Sequence, residues 1–140
     1  MTEIAKISHL PIVTRVRVDD WPKGEQSQFR VQLVGNGLGQ IVHVPMIVAR
    51  GTKPGPTLGV TAAIHGDELN GIGLIHRLLE QLKTKDLAGA VVAVPVVNVP
   101  GYLREQRRYT DGRDLNRTMP GKADGRSEER RVGRGGRGGG

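Results

Sequence analysis

Apolar positions along this chain change pattern four times, and each change marks the start of a new element. Leu10-Pro11-Ile12-Val13 and the alternating Val16 and Val18 give an extended lead-in, and Asp19-Asp20-Trp21-Pro22-Lys23-Gly24 reads as a turn. Phe29–Val34 alternates apolar and polar side chains, which predicts a strand. Gly35-Asn36-Gly37 is a tight-turn signal, and Ile41–Ala49 predicts a second strand. Together these form a β-hairpin. Pro45 has no amide N–H to donate, so it requires a free edge or a bulge on one side of its strand.

After the Gly51–Pro56 loop, Thr57–Ile64 is a continuous apolar run of the kind expected of a strand buried on both faces. From Leu69 the period lengthens. Leu69, Ile72, Ile75, Leu79 and Leu82 recur every three or four residues, widened by Leu74 and Leu78, which predicts an amphipathic helix. Val91–Val97 is a second buried-strand run. Strand, helix and strand make a βαβ unit with a parallel pair and a right-handed crossover, hence an α/β fold. Residues 98–125 keep neither period and read as a long polar loop after a strand end. In open α/β sheets that is where ligands bind.

Composition adjusts this picture in one place. The chain has 140 residues, 36% hydrophobic, 21 glycines, no cysteine, and a net charge of +7. The absence of cysteine excludes disulfides and thiolate-held metals. No apolar run approaches the roughly 20 residues of a membrane span, and the first residues lack a signal-peptide core. A cytoplasmic protein without membrane contact is the expectation. Residues 126–140 hold five arginines, two glutamates and six of the glycines, so +3 of the charge sits there. One apolar residue, Val132, cannot build a core, and the tail is expected to be disordered. Arg126–Gly133 also resembles a translated sequencing adapter, so the tail is expected to be non-native. Three segments result: a lead-in over 1–29, an α/β domain segment over 30–125, and the Arg/Gly tail over 126–140.

Two clusters carry chemistry. His65 and Glu68 sit three apart at a strand-to-helix junction, where an imidazole and a carboxylate can converge on one metal ion. The alternative is that Asp67 and Glu68 simply favour a helix N-terminus. Arg107, Arg108, Arg113 and Arg117 lie within eleven residues beside Asp111 and Asp114. Arginine forks and an Asn donor suit a substrate carboxylate, and an arginine near a metal can stabilise an oxyanion. Equally, such a loop can be solvated and held by weak internal ion pairs. His9, His43 and His76 fit packed or solvated positions better than ligand positions.

The ordered set of His65-Gly66-Asp67-Glu68 after an apolar strand, Asn98-Val99-Pro100-Gly101-Tyr102, Arg108-Tyr109, Asp111-Gly112, Asp114-Leu115-Asn116-Arg117 and Pro120-Gly121 resembles the succinylglutamate desuccinylase/aspartoacylase family, within the zinc carboxypeptidase-like superfamily. The resemblance spans residues 30–125. It implies an α/β fold: the N-terminal part of a mixed sheet flanked by helices, preceded by the hairpin. It implies one Zn2+ per site, with His65 and Glu68 as ligands. Arg108 would act on the scissile carbonyl. Asn116 and Arg117 would grip a substrate carboxylate, with Asp114 orienting groups beside them. The implied activity is zinc-dependent hydrolysis of the amide of a small N-acylated amino acid. Met119 stands where the family usually has Phe.

The family's third zinc ligand, a downstream His, and its general-base Glu have no counterpart here: no His follows His76, and Glu128 and Glu129 match no motif. The chain is therefore expected to stop before them and to be inactive alone. Two rival readings use the same residues. One is a zinc carboxypeptidase acting on peptides. The other is a non-catalytic module holding an anion or nucleic acid, which predicts binding that is salt-sensitive and indifferent to chelator. Nucleic acid is the less favoured partner, since the basic tail has no aromatic residue for stacking.

Overall fold

The computed structural model describes residues 10–35 and 38–119. His9, the Asn36-Gly37 turn, Pro120-Gly121 and the Arg/Gly tail lie outside the described residues. The elements are β1 (Ile12–Val13), β2 (Glu25–Gly35), β3 (Ile41–Arg50), β4 (Lys53–Thr61), α1 (Asn70–Gln81), β5 (Ala88–Val94) and α2 (Val99–Leu103). The strands make one mixed sheet in the order β1-β2-β3-β5-β4. β2 and β3 are the antiparallel hairpin, β3 and β5 are antiparallel, and β4 and β5 are the parallel pair of the βαβ unit.

Alternation along the hairpin divides its residues between two faces. Ile47 and Ala49 of β3 stand opposite Ala93 and Val91 of β5. These four pack with Ala62 against Ile75 and Leu79 of α1. Burying each of the two large helical side chains stabilises the fold by about 2 kcal/mol. Gln26 of β2 donates through Nε2 to the Leu79 carbonyl, tying the helix end to the hairpin. On the opposite face, Phe29, Val44 and Val48 are buried. Phe29 stacks on Trp21 with ring centroids 4.2 Å apart, which uses the single Phe and single Trp of the chain in one contact.

Pro45 is accommodated as its chemistry requires. Its cross-strand partner is Arg30, whose N–H donates instead to the carbonyl of Pro11, the residue just before β1. Arg30 and Pro45 are thus a non-hydrogen-bonded pair, and the Pro45 nitrogen faces the side of β3 away from β2. Pairing with β5 begins only at Ile47, so no ladder bond is missed.

Four expectations are corrected. β4 begins at Lys53 and includes Pro54 and Pro56, which the sequence assigns to a loop; it is an edge strand, where a missing donor is tolerated, and its register shifts between Lys53 and Thr57. The same edge position overturns the expectation that this run is buried on both faces: β4 is exposed along almost its whole length, with Leu58 open to solvent. Helix α1 likewise buries a narrower stripe than the pattern offers, leaving Leu69, Leu74 and Leu78 exposed. Finally, the segment after β5 is not all loop. It holds α2 and a short 3-10 turn over Leu115–Arg117. Among the described residues no helix is long and apolar enough to cross a membrane.

Candidate active site

β4 and β5 run parallel, so their carboxyl ends lie side by side, and both chemical clusters leave the sheet there. Backbone bonds stitch the two exits together. Ala62 N–H donates to Val94, Val97 N–H to Ala62, and Asn98 N–H to Ala63. Ala63 takes a positive φ of 50°, a left-handed conformation that is uncommon for a residue with a Cβ. It turns the chain out of β4 two residues before His65. Gly66 follows because nothing larger fits: a Cβ there would overlap the backbone of Gly101, Tyr102 and Gln106.

His65 is buried. Its Nε2 lies 2.7 Å from Asp114 Oδ1 and its Nδ1 lies 2.9 Å from Glu68 Oε1. Hydrogen bonding to Asp114 raises the imidazole pKa above its ordinary 6.5, with Glu68 adding to this and burial opposing it. The same hydrogen bond holds the Asp114 carboxyl below its ordinary 3.8. Asp114 Oδ1 also accepts from the Asn116 N–H, closing the cap of the 3-10 turn that Leu115 anchors in the core. A carboxylate on one imidazole nitrogen fixes the tautomer and presents the other nitrogen to a metal. Here that other nitrogen is Nδ1, and it faces Glu68 Oε1.

The Glu68 carboxylate is directed at His65 and not at the helix: α1 starts at Asn70, and its N-cap has no side-chain hydrogen bond. The pair offers one imidazole nitrogen and one carboxylate oxygen at mutual hydrogen-bond distance, a donor set that fits half of a tetrahedral zinc site. Among the described residues no group of three or more His, Cys, Asp or Glu is arranged to hold a metal ion.

The arginines divide. Arg107 sends Nη1 to Glu68 Oε1 and Nη2 to Asp114 Oδ2, each at 3.4 Å. Arg108 directs Nη1 to the Gly112 carbonyl at 3.0 Å, inside its own loop. That loop is a turn at Asp111-Gly112, where Gly112 has a φ of 79° and Gly112 N–H donates to Tyr109. Arg117 lies on the rim, with Nε 3.9 Å from Asp114 Oδ2, and is exposed, as is Asn116. The structure therefore brings His65, Glu68 and Asp114 together, keeps Asn116 and Arg117 beside them, and turns Arg108 into its loop.

Two residues matter more here than their sequence signals indicate. Asn98 is fully buried. Its Oδ1 accepts from Gly101 N–H at 3.0 Å, capping α2, and its Nδ2 donates to the Arg107 carbonyl at 3.4 Å. One side chain thus ties the β5 exit to the arginine loop. Arg107 is the other; only its neighbour Arg108 carried a motif.

Comparison with known proteins gives the class this arrangement belongs to. The sequence model of the succinylglutamate desuccinylase/aspartoacylase catalytic domain matches residues 54–135, and the chain belongs to that family. It is 38% identical over 90 residues to the N-alpha-acetyl-L-2,4-diaminobutyric acid deacetylase of Halomonas elongata, covering 64% of this chain and 26% of that enzyme. The product-bound ectoine utilization protein EutE (DoeB) of Ruegeria pomeroyi superposes with a TM-score of 0.70 at 27% identity, over 91% of this chain and 38% of that one. An aspartoacylase family protein of Mesorhizobium loti gives 0.68 at 27% identity, over 86% of this chain and 37% of its own. The fold is that of the aspartoacylases, which is zinc carboxypeptidase-like, and the chain spans well under half the length of these relatives.

Proposed function

We propose that this chain carries the metal-binding and carboxylate-gripping portion of a zinc-dependent deacylase that hydrolyses the amide of a small N-acylated amino acid. The observation that carries the reading is the convergence of His65 Nδ1 and Glu68 Oε1 at 2.9 Å while Asp114 braces Nε2. Similarity to an acetyl-diaminobutyrate deacetylase supports the substrate class.

His65 and Glu68 would hold the zinc, which when bound supplies Lewis acidity toward the scissile carbonyl. Asp114 keeps the His65 ring oriented and its Nε2 proton in place. Arg117 and Asn116, on the rim, meet the substrate carboxylate, and the two-pronged guanidinium fixes its direction. Arg108, released from Gly112, stabilises negative charge developing on the acyl oxygen. The third ligand and the general base belong, in this reading, to the additional sequence that the longer relatives possess. These 140 residues alone are expected to bind zinc weakly and not to turn over substrate.

Zinc titration of the metal-stripped chain tests the ligand pair. One weak site, lost in both His65→Ala and Glu68→Ala, is expected. Binding that survives both substitutions overturns the assignment. Arginine-loop binding of an anion that ignores chelator and collapses with salt would favour the non-catalytic module instead.

A further inference from the structure

Glu68 has two basic neighbours at the site and Asp114 has three, the most distant being Arg117 Nε at 3.9 Å. Glu68 Oε1 faces His65 Nδ1 at 2.9 Å and Arg107 Nη1 at 3.4 Å. Asp114 faces His65 Nε2 through Oδ1 at 2.7 Å and Arg107 Nη2 through Oδ2 at 3.4 Å. The four side chains close a ring: imidazole, carboxylate, guanidinium, carboxylate. The ring is lopsided in burial. The His65 side chain is 8% exposed and that of Asp114 14%, whereas Arg107 is 51% and Glu68 59% exposed. Of the two exposed members, Glu68 is held by His65 Nδ1 at 2.9 Å, whereas Arg107 has only its two 3.4 Å contacts within the ring, so Arg107 is the member that can leave. Its main chain stays anchored when it does, because Asn98 Nδ2 holds the Arg107 carbonyl and not the guanidinium.

We infer that Arg107 is a positioning residue for metal loading: without metal its guanidinium spans Glu68 and Asp114, and an incoming divalent cation displaces it from Glu68. This rests on the proposal that His65 and Glu68 are zinc ligands. Arg107 engages Oε1, the same Glu68 oxygen that faces Nδ1, so guanidinium and metal compete for one lone-pair region. The guanidinium fork matches the separation of two carboxylates, which an ammonium does not reproduce. Its positive charge also opposes a dication at close range. Half-exposed Arg107 is partly screened, so the opposition is moderate, on the order of tenfold in affinity. Once off Glu68, Arg107 keeps its contact with Asp114 and stands at the site entrance beside Arg108 and Arg117.

The test is zinc alone, titrated into the metal-stripped chain against a chromophoric competitor chelator at low and high salt. Arg107→Ala is expected to bind zinc about tenfold more tightly than the unsubstituted chain, with the gap shrinking at high salt. Arg107→Lys retains the charge without the fork and is expected to fall between the two. Circular dichroism of each variant checks that the fold is kept, since loss of a half-exposed ion pair costs little stability. Equal or weaker zinc binding by Arg107→Ala overturns the inference and leaves the ligand pair standing. Zinc binding by none of the chains removes the ligand pair and the inference with it.

Discussion

Asp114 reaches across 49 residues of sequence to hold His65 by Nε2 at 2.7 Å, from a 3-10 turn that it also caps. The turn and the imidazole are therefore positioned by one carboxylate. Asp114→Asn keeps the shape but removes the charge-assisted bond. Zinc affinity is expected to fall about 10- to 100-fold, the usual effect of losing the outer partner of a ligating histidine. Titration of the variant beside Glu68→Ala checks this; affinity unchanged from the original chain would show that Asp114 only caps its turn.

The same contact sets a pH dependence for the metal-free chain. The His65 pKa is raised above 6.5, chiefly by Asp114, so its contribution to stability is fully present below 6.5 and is lost as pH rises through the raised value. The Asp114 pKa is lowered below 3.8, so its contribution is present above 3.8 and is lost as pH falls through the lowered value. Stability from the pair is thus greatest between the two ordinary values and declines on the alkaline side. Urea unfolding at about pH 5.5 and about pH 8.5 measures the difference. Asp114→Asn should flatten the alkaline decline.

Asn98 predicts a larger structural cost. It is fully buried, caps α2 through Oδ1 and holds the arginine loop through Nδ2. Asn98→Ala leaves the Gly101 N–H without that acceptor and opens space beside Gly101, so a loss of about 3 kcal/mol is expected. Hydrogen exchange should show the loss first in α2 and at residues 104–109. Uniform loosening of the whole sheet would contradict the local role assigned to Asn98.

Most of the fold was legible because period and turn chemistry report local geometry. The hairpin, helix α1 and the parallel β4–β5 pair follow from alternation, three-four spacing and apolar runs. What the patterns do not contain is which strand lies at an edge. Thr57–Ile64 has the composition of a buried strand, yet sheet order puts β4 outermost. The site was half legible. His65 and Glu68 are close in sequence and share one turn, so their convergence is a local matter. The Asp114–His65 bond and the Arg107 bridge depend on the path of a loop without periodicity. Nothing local distinguishes Arg107 from Arg108; which one faces the carboxylates is decided by the Asn98 bond to the Arg107 carbonyl and by the turn at Gly112.

Ala63 offers a test of the backbone that aims His65. At a φ of 50° and almost fully buried, it sets two effects against each other in Ala63→Gly. Relief of the left-handed penalty, about 1 kcal/mol, opposes the loss of a buried methyl at about 0.8 kcal/mol. The glycine variant should lie within about 1 kcal/mol of the original chain. Ala63→Val adds a β-branched side chain where that φ is a genuine outlier, and should cost at least about 2 kcal/mol. Thermal unfolding of both variants separates the terms. Equal losses would mean that the methyl, and not the turn, matters.

The two arginines assigned to substrate should fail differently in a longer, active protein carrying these residues. Arg117 and Asn116 are exposed on the rim, where in their proposed role they would meet a carboxylate before reaction and hold it throughout. Removing Arg117 takes away uniform binding, so Arg117→Ala should raise KM about 100-fold with kcat little changed. It should also erase the preference for an N-acyl amino acid over its uncharged methyl ester. Arg108 rests on the Gly112 carbonyl and has no ground-state carboxylate partner in its assigned role. Arg108→Ala should lower kcat about 100- to 1,000-fold and leave the acid-over-ester preference intact. Steady-state kinetics on acid and ester with both variants reads the four values directly. If Arg108→Ala instead erased the preference and Arg117→Ala lowered kcat, the two assignments would have to be exchanged.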